Sequence, residues 1–272
     1  GMVSTDIQHF ASDSAWTVLM AATSNALFVF NIPSTPAGLV PPAQSTSFPS
    51  HTIHWATLSP NGAYIAMLLV PTAPMAPTSF ELWDRKSLTK LATLASAPSS
   101  RNPDHLSFAS FDDQSTAIMC GSTASSSSVG AGSHQQAGVW DLTYITPAVA
   151  KAEQVAPTWV LQHADAFVAG CLHRSSDGKL TALTGSATGE LVLWDVSSGL
   201  QTLRVSAFYN RVACVQLAPN GKMIAAASED KTVRLFNLVD NPAPRAAGNT
   251  LCYQFHCSGY TGKMACRCAP GK

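Results

Sequence analysis

The chain has 272 residues, enough for a substantial core in one or two domains. Apolar residues make up 46%, charged residues only 12%, and sixteen Lys plus Arg balance sixteen Asp plus Glu. That balance leaves no basic field for a phosphate backbone and argues against a primary nucleic-acid binder. No apolar run approaches the roughly 20 residues a membrane helix needs, and the first residues lack the basic and apolar regions of a signal peptide. Cys120, Cys171 and Cys214 stand singly in apolar runs, the pattern of buried reduced thiols in an intracellular protein of cytoplasm or nucleus.

In chain order, residues 16–23 (WTVLMAAT) and 27–32 read as strands joined by a tight turn. Residues 33–49 hold five prolines and read as a long connection, with a short edge strand at Leu39 and Val40. The second unit starts with a strand at 51–59 and turns on SPNG at 59–62, where Gly suits a positive φ. Strands at 63–70, 80–84 and 88–94 follow, with the insertion 71–78 (PTAPMAPT) before the second of them. The third unit repeats the order at 106–111, 115–121, 138–142 and 159–163, around a Ser/Gly/Ala segment at 122–136. The fourth unit reads 167–173, 179–185, 190–196 and 200–207, and the fifth 212–217, 222–227, 232–238 and 251–256. Four strands per unit joined by short turns describe an antiparallel meander.

One phrase closes the third strand of each unit: LFVFNI, FELWD, GVWDL, LVLWDV and VRLFNL. Its Asp or Asn falls at Asn31, Asp84, Asp141, Asp195 and Asn237, spaced by 53, 57, 54 and 42 residues. The last spacing fits a repeat of about 40–45 residues, and the longer ones contain the insertions. Across nearly the whole chain, and most clearly in APNGKMIAAASEDKTVRLFN at 218–237, the sequence resembles the WD40-repeat family. The resemblance implies an all-β fold, a β-propeller of four-stranded antiparallel blades, with the repeat module over 1–250 and a Cys-rich tail at 251–272. Stacking such sheets buries faces that one sheet alone cannot.

In that family a Trp–Ser/Thr–His–Asp hydrogen-bond chain satisfies the indole. By resemblance, Trp194 takes Ser186 and His163 as partners, Asp195 closes its strand, and Thr188–Gly189 replaces the turn aspartate. The last unit keeps Ser228 and Asp230 beside Phe236, with Asn210 at the His position. Trp83 with Asp84 and Trp140 with Asp141 are the counterparts in units two and three, His51 serving unit two. These residues are read as structure, not chemistry. The insertions 71–78 and 122–136 are both links between second and third strands and should share one face.

Five repeats are visible where the family usually closes with seven. Three accounts stand open: a degenerate blade within 33–49, a ring closed or left open at five, or an incomplete ring completed by a partner or a second copy. No catalytic or phosphate-loop motif is present, and the paired acids Asp112–Asp113 and Glu229–Asp230 sit in turns, so no catalytic residue and no cofactor is assigned. The tail cysteines Cys252, Cys257, Cys266 and Cys268 are numerous enough for a zinc ion, but lack the usual two-residue spacing. The expected role is a non-catalytic protein–protein interaction scaffold within a larger complex, with Phe208 and Tyr209 as candidate contact residues. The alternative is a nucleic-acid or phospholipid recognition module using Arg85, Lys86 and Lys90, or Arg101 and His105.

Overall fold

The computed structural model describes residues 6–34, 38–73, 78–94, 106–122, 135–145, 154–238, 251–257 and 266–269. It consists of five antiparallel sheets, each built from strands consecutive in the chain. The first holds β1 (His9–Ser12), β2 (Val18–Ala22), β3 (Ala26–Asn31) and β4 (Gln44–Ser47). The second holds β5 (His51–Leu58), β6 (Tyr64–Pro71), β7 (Ser79–Asp84) and β8 (Thr89–Leu94). β9 (Leu106–Phe111), β10 (Ala117–Ser122), β11 (Gln135–Asp141) and β12 (Trp159–His163) form the third. β13 (Phe167–Arg174), β14 (Leu180–Ser186), β15 (Glu190–Asp195) and β16 (Leu200–Ser206) form the fourth. The fifth holds β17 (Val212–Leu217), β18 (Met223–Ser228), β19 (Thr232–Asn237), β20 (Leu251–Cys257) and β21 (Cys266–Ala269).

Three expectations are corrected in the first sheet. Trp16 stands outside a strand, in the turn between β1 and β2, and β1 itself adds an inner strand that apolar patterning had not marked. The edge strand runs over Gln44–Ser47, while Leu39 and Val40 are exposed in the preceding link. Residues 38–43 hold no strand, so no further blade is present among the described residues of 33–49. At the other end, the fifth sheet continues past residue 250 through β20 and β21.

The core follows from strand alternation, since residues paired across an antiparallel ladder point to the same face. Each sheet is apolar on both faces and stacks on its neighbours. Met20 and Val29 meet Ile65 and Met67 between sheets one and two. Leu68 and Leu82 meet Ile118 and Trp140 between two and three. Met119 and Val139 meet Ala182 and Trp194 between three and four. Leu183 and Leu191 meet Ile224 and Phe236 between four and five. Four cores thus join five sheets in sequence order, and among the described residues no core cluster joins the first sheet to the last. β13, with a sheet on each side, is buried along nearly its whole length, whereas β17 exposes Ala213, Cys214 and Gln216. Cys214 is therefore exposed, contrary to expectation, while Cys120 and Cys171 are buried. Among the described residues no helix is long and apolar enough to cross a membrane.

Candidate interaction face

The first and second strands of every sheet are joined by the same four-residue turn. Its fourth residue donates its N–H to the carbonyl of the first: Trp16 to Asp13, Gly62 to Ser59, Ser115 to Asp112, Gly178 to Ser175 and Gly221 to Ala218. That fourth residue has positive φ in all five turns, from 55° at Trp16 to 85° at Gly178. Glycine adopts this conformation freely, while Trp16 and Ser115 are held in it.

Side chains complete these turns. Asp13 accepts from Thr17 Oγ1 at 2.5 Å and from the N–H groups of Thr17 and Val18. Asp112 repeats the arrangement with Thr116 Oγ1 at 2.6 Å and the N–H groups of Thr116 and Ala117. Burial acts to raise the Asp13 pKa, but the Thr17 hydroxyl and the backbone donors outweigh it and hold the carboxyl below its usual range. The turns also bond from one sheet to the next. Ser14 donates to Pro60 O from both N and Oγ, at 2.7 and 2.9 Å. The Asn61 N–H donates to Ser115 Oγ at 3.0 Å. Arg174 Nε donates to fully buried Asp112 at 3.0 Å, and its N–H to Asp113 at 2.8 Å. Gly221 lies against His173, whose Nε2 would stand 3.1 Å from an added Cβ. The five turns therefore form one continuous belt on one face of the molecule.

In a meander the links between third and fourth strands share that face. The phrase-closing aspartates build them. Asp84 accepts from Ser87 N and Oγ, Asp141 from Thr143 N and Oγ1, and Asp195 from Ser197 N and Oγ. The Ser197 hydroxyl, with Lys179 3.1 Å away, lowers the Asp195 pKa to about 2. The same face carries most of the large exposed apolar side chains: Trp16 (64% exposed), Leu39, Val40, Tyr144 (68%) and Leu200 (66%).

The aromatic of each phrase points toward the preceding sheet. Trp83 meets Phe48 edge-on at 5.5 Å, Trp140 meets Phe80 at 6.0 Å and Trp194 meets His163 at 6.3 Å. Their indole partners differ from those expected. Trp194 Nε1 donates to Thr184 Oγ1 at 2.8 Å, not to Ser186. Ser186 Oγ instead organises the following turn through Thr188 and the Glu190 N–H, and Asp165 supplies the carboxylate that Thr188 binds. His163 Nδ1 accepts from the Asp165 N–H, and its Nε2 lies 3.4 Å from Glu190. Trp83 Nε1 donates to Glu81 at 2.8 Å, while His51 contacts Ser50. Trp140 Nε1 donates to Val155 O at 2.9 Å. In the fifth sheet Ser228 Oγ donates to Asn210 O and Arg211 O, and Asp230 binds Thr232 and the Tyr209 N–H. Glu81 shares a face with Trp83 by lying two residues away in the same strand, whereas Thr184 shares one with Trp194 through the register of two strands.

On the opposite face Tyr209 is 95% exposed. Phe208 is not: it is buried in the core between sheets four and five, with Arg234 5.0 Å from its ring centroid. Of the paired acids expected to be solvated, Glu229 and Asp113 lie at the surface, whereas Asp112 is fully buried and Asp230 half-buried, both held by hydrogen bonds within their turns. The links holding residues 74–77 and 123–134 both join second to third strands, but those residues, like Arg101 and His105, lie outside the described ones. Among the described residues no cluster of three or more His, Cys, Asp or Glu could hold a metal ion. In the tail, Cys257 and Cys266 are register partners in β20 and β21.

The family model described as WD domain, G-beta repeat matches residues 200–237. The segment takes β16 from the fourth sheet and β17–β19 from the fifth, so the sequence repeat is offset by one strand from the sheet. No curated protein matches the chain.

Proposed function

On the premise that the chain is assigned to the WD40-repeat family, supported by its matched repeat and its five antiparallel sheets, we propose that it is a non-catalytic protein–protein interaction scaffold, a module of a larger complex. The observation that carries this reading is the belt face. Hydrogen bonds link its turns across sheets one to four, Gly221 of the fifth packs against His173, and Trp16, Tyr144 and Leu200 stand exposed on it. Exposed aromatic and aliphatic anchors in a polar surround are what a protein partner uses for affinity. The polar groups of the turns serve the turns themselves. Among the described cations, Lys90, Arg174, Lys179, Arg204 and Arg211 are each in an ion pair, while Arg85 donates to the Gly62 carbonyl and Lys86 is exposed.

The test compares partners captured by the wild type and by a Trp16→Ser, Tyr144→Ser, Leu200→Ser triple variant of unchanged circular dichroism. Proteins recovered by the wild type should be lost with the variant. Equal recovery by both would overturn the assignment of this face, and steep loss of binding with salt would favour a polyanion ligand.

A further inference from the structure

The four cores share one asymmetry. Each sheet turns a leading face, carrying the phrase aromatic, toward the preceding sheet, and a trailing face toward the next. Trp83, Trp140, Trp194 and Phe236 occupy the same leading-face position, and each packs on the sheet before it. Phe30 holds that position in the first sheet: it pairs with Leu19 and precedes Asn31 as Trp83 pairs with Ile65 and precedes Asp84. No sheet precedes it among the described residues. Its face shows half-buried Leu19, Phe28 and Phe30, and Phe10 at 61% exposure.

The fifth sheet has the reciprocal vacancy. Leu183, Leu191 and Leu193 of the fourth sheet pack on the fifth. The residues 42 positions later, Ala225, Val233 and Leu235, face outward and are half-buried, with exposed Cys214 and Gln216 beside them. Neither face carries Lys, Arg, Asp or Glu at these positions. Stacking one on the other desolvates no fixed charge. It sets the larger side chains of the first sheet, Phe28 and Phe30, against the small Ala225 and Ala227 of the fifth.

We propose that the leading face of the first sheet docks on the trailing face of the fifth sheet of a second copy, continuing the stacking that joins the sheets within the chain. This rests on the repeat reading and on the scaffold role proposed above. The contact is heterologous, because different surfaces of the two copies meet, so it leaves one face of each kind free for further copies or a closing partner.

The experiment is sedimentation velocity on the full chain over a range of concentrations. The wild type should rise in mass above its 28.6 kDa monomer as concentration increases. Phe30→Glu removes the leading face and Leu235→Glu the trailing face, so each variant alone should remain monomeric. Mixed, they should form a 1:1 dimer and no larger species, because each supplies the face the other lacks. If either variant is misfolded by circular dichroism, Phe10→Glu and Cys214→Glu, at more exposed positions of the same faces, replace them. A wild type that is monomeric at every concentration overturns the proposal. So do variants that still self-associate alone, or a mixture that does not pair. None of these outcomes bears on the scaffold reading, which the belt-face variant tests separately.

Discussion

At the scale of single residues, the polar side chains of this protein act on backbone and indole groups that would otherwise be buried without partners. Thr184 and Trp194 are 2% and 1% exposed, and the 2.8 Å bond between them is the indole's partner. Thr184→Val should strand the Trp194 N–H and cost about 1–3 kcal/mol. Urea denaturation of this variant, of Trp194→Phe and of the double variant should give a coupling of about 1 kcal/mol. Simple additivity would show that the bond contributes nothing net. The turn carboxylates set an acid limit. Asp84 is lowered chiefly by the Ser87 hydroxyl, Asp195 to about 2 by Ser197 and Lys179. At Asp13, Asp165 and Asp230 burial raises the pKa, but hydrogen bonds from Thr17, Thr188 and Thr232 bring it below the ordinary value. Because the folded pKa values lie below the unfolded ones, this stabilisation is present above about pH 4 and is lost as pH falls toward 2. The melting temperature should decline steeply between pH 4 and pH 2.5. Asp195→Asn should remove part of that slope, and a flat profile would contradict the account.

At the scale of elements, the turns decide where each strand stops and which side chains it offers. Gly189 closes the turn between β14 and β15 at φ 91°, and an added Cβ would stand 2.3 Å from the Phe208 carbonyl oxygen. Gly178 has a similar φ of 85° but nothing within 4 Å. Gly178→Ala should therefore cost about 1–2 kcal/mol of backbone strain. Gly189→Ala should cost at least about 2 kcal/mol more, because a backbone atom cannot yield as a side chain does. Lys231 occupies the place of Gly189 in the fifth sheet at φ 68° and is exposed. Lys231→Gly should stabilise by about 0.5–1 kcal/mol, since relief of left-handed strain exceeds the entropy glycine adds to the unfolded chain. Chemical denaturation of the three variants checks the order, and equal costs for the two alanine variants would refute the clash.

At the scale of the molecule, the sheets are held both by apolar cores and by the belt of turns. Arg174 is the charged link in that belt, joining the fourth sheet to fully buried Asp112 of the third. Arg174→Ala should cost about 2–4 kcal/mol by leaving a buried carboxylate without its cation. Arg174→Lys should recover only part of this, since one ammonium cannot reach both Asp112 and the Gly178 carbonyl as the guanidinium does. Loss of less than about 0.5 kcal/mol in the alanine variant would show that the belt is decorative.

The repeat, the four-strand meander and the buried phrase aromatics were legible in the sequence, because they rest on short-range alternation and on turn residues that any strand of this kind needs. SPNG at 59–62 and PNG at 219–221 announced their turns; Asp13–Trp16 did not, because Trp16 adopts a conformation its side chain does not advertise. β1 and β4 escaped for a related reason: HFAS and QSTS carry little apolar signal and are strands through their pairing. Tertiary structure alone settled the partners of the Trp140 and Trp194 indoles, the burial of Phe208 beside exposed Tyr209, and the joining of five turns into one belt. It alone also showed that four cores link five sheets. Those outcomes depend on which faces of distant segments meet, and no local pattern specifies that.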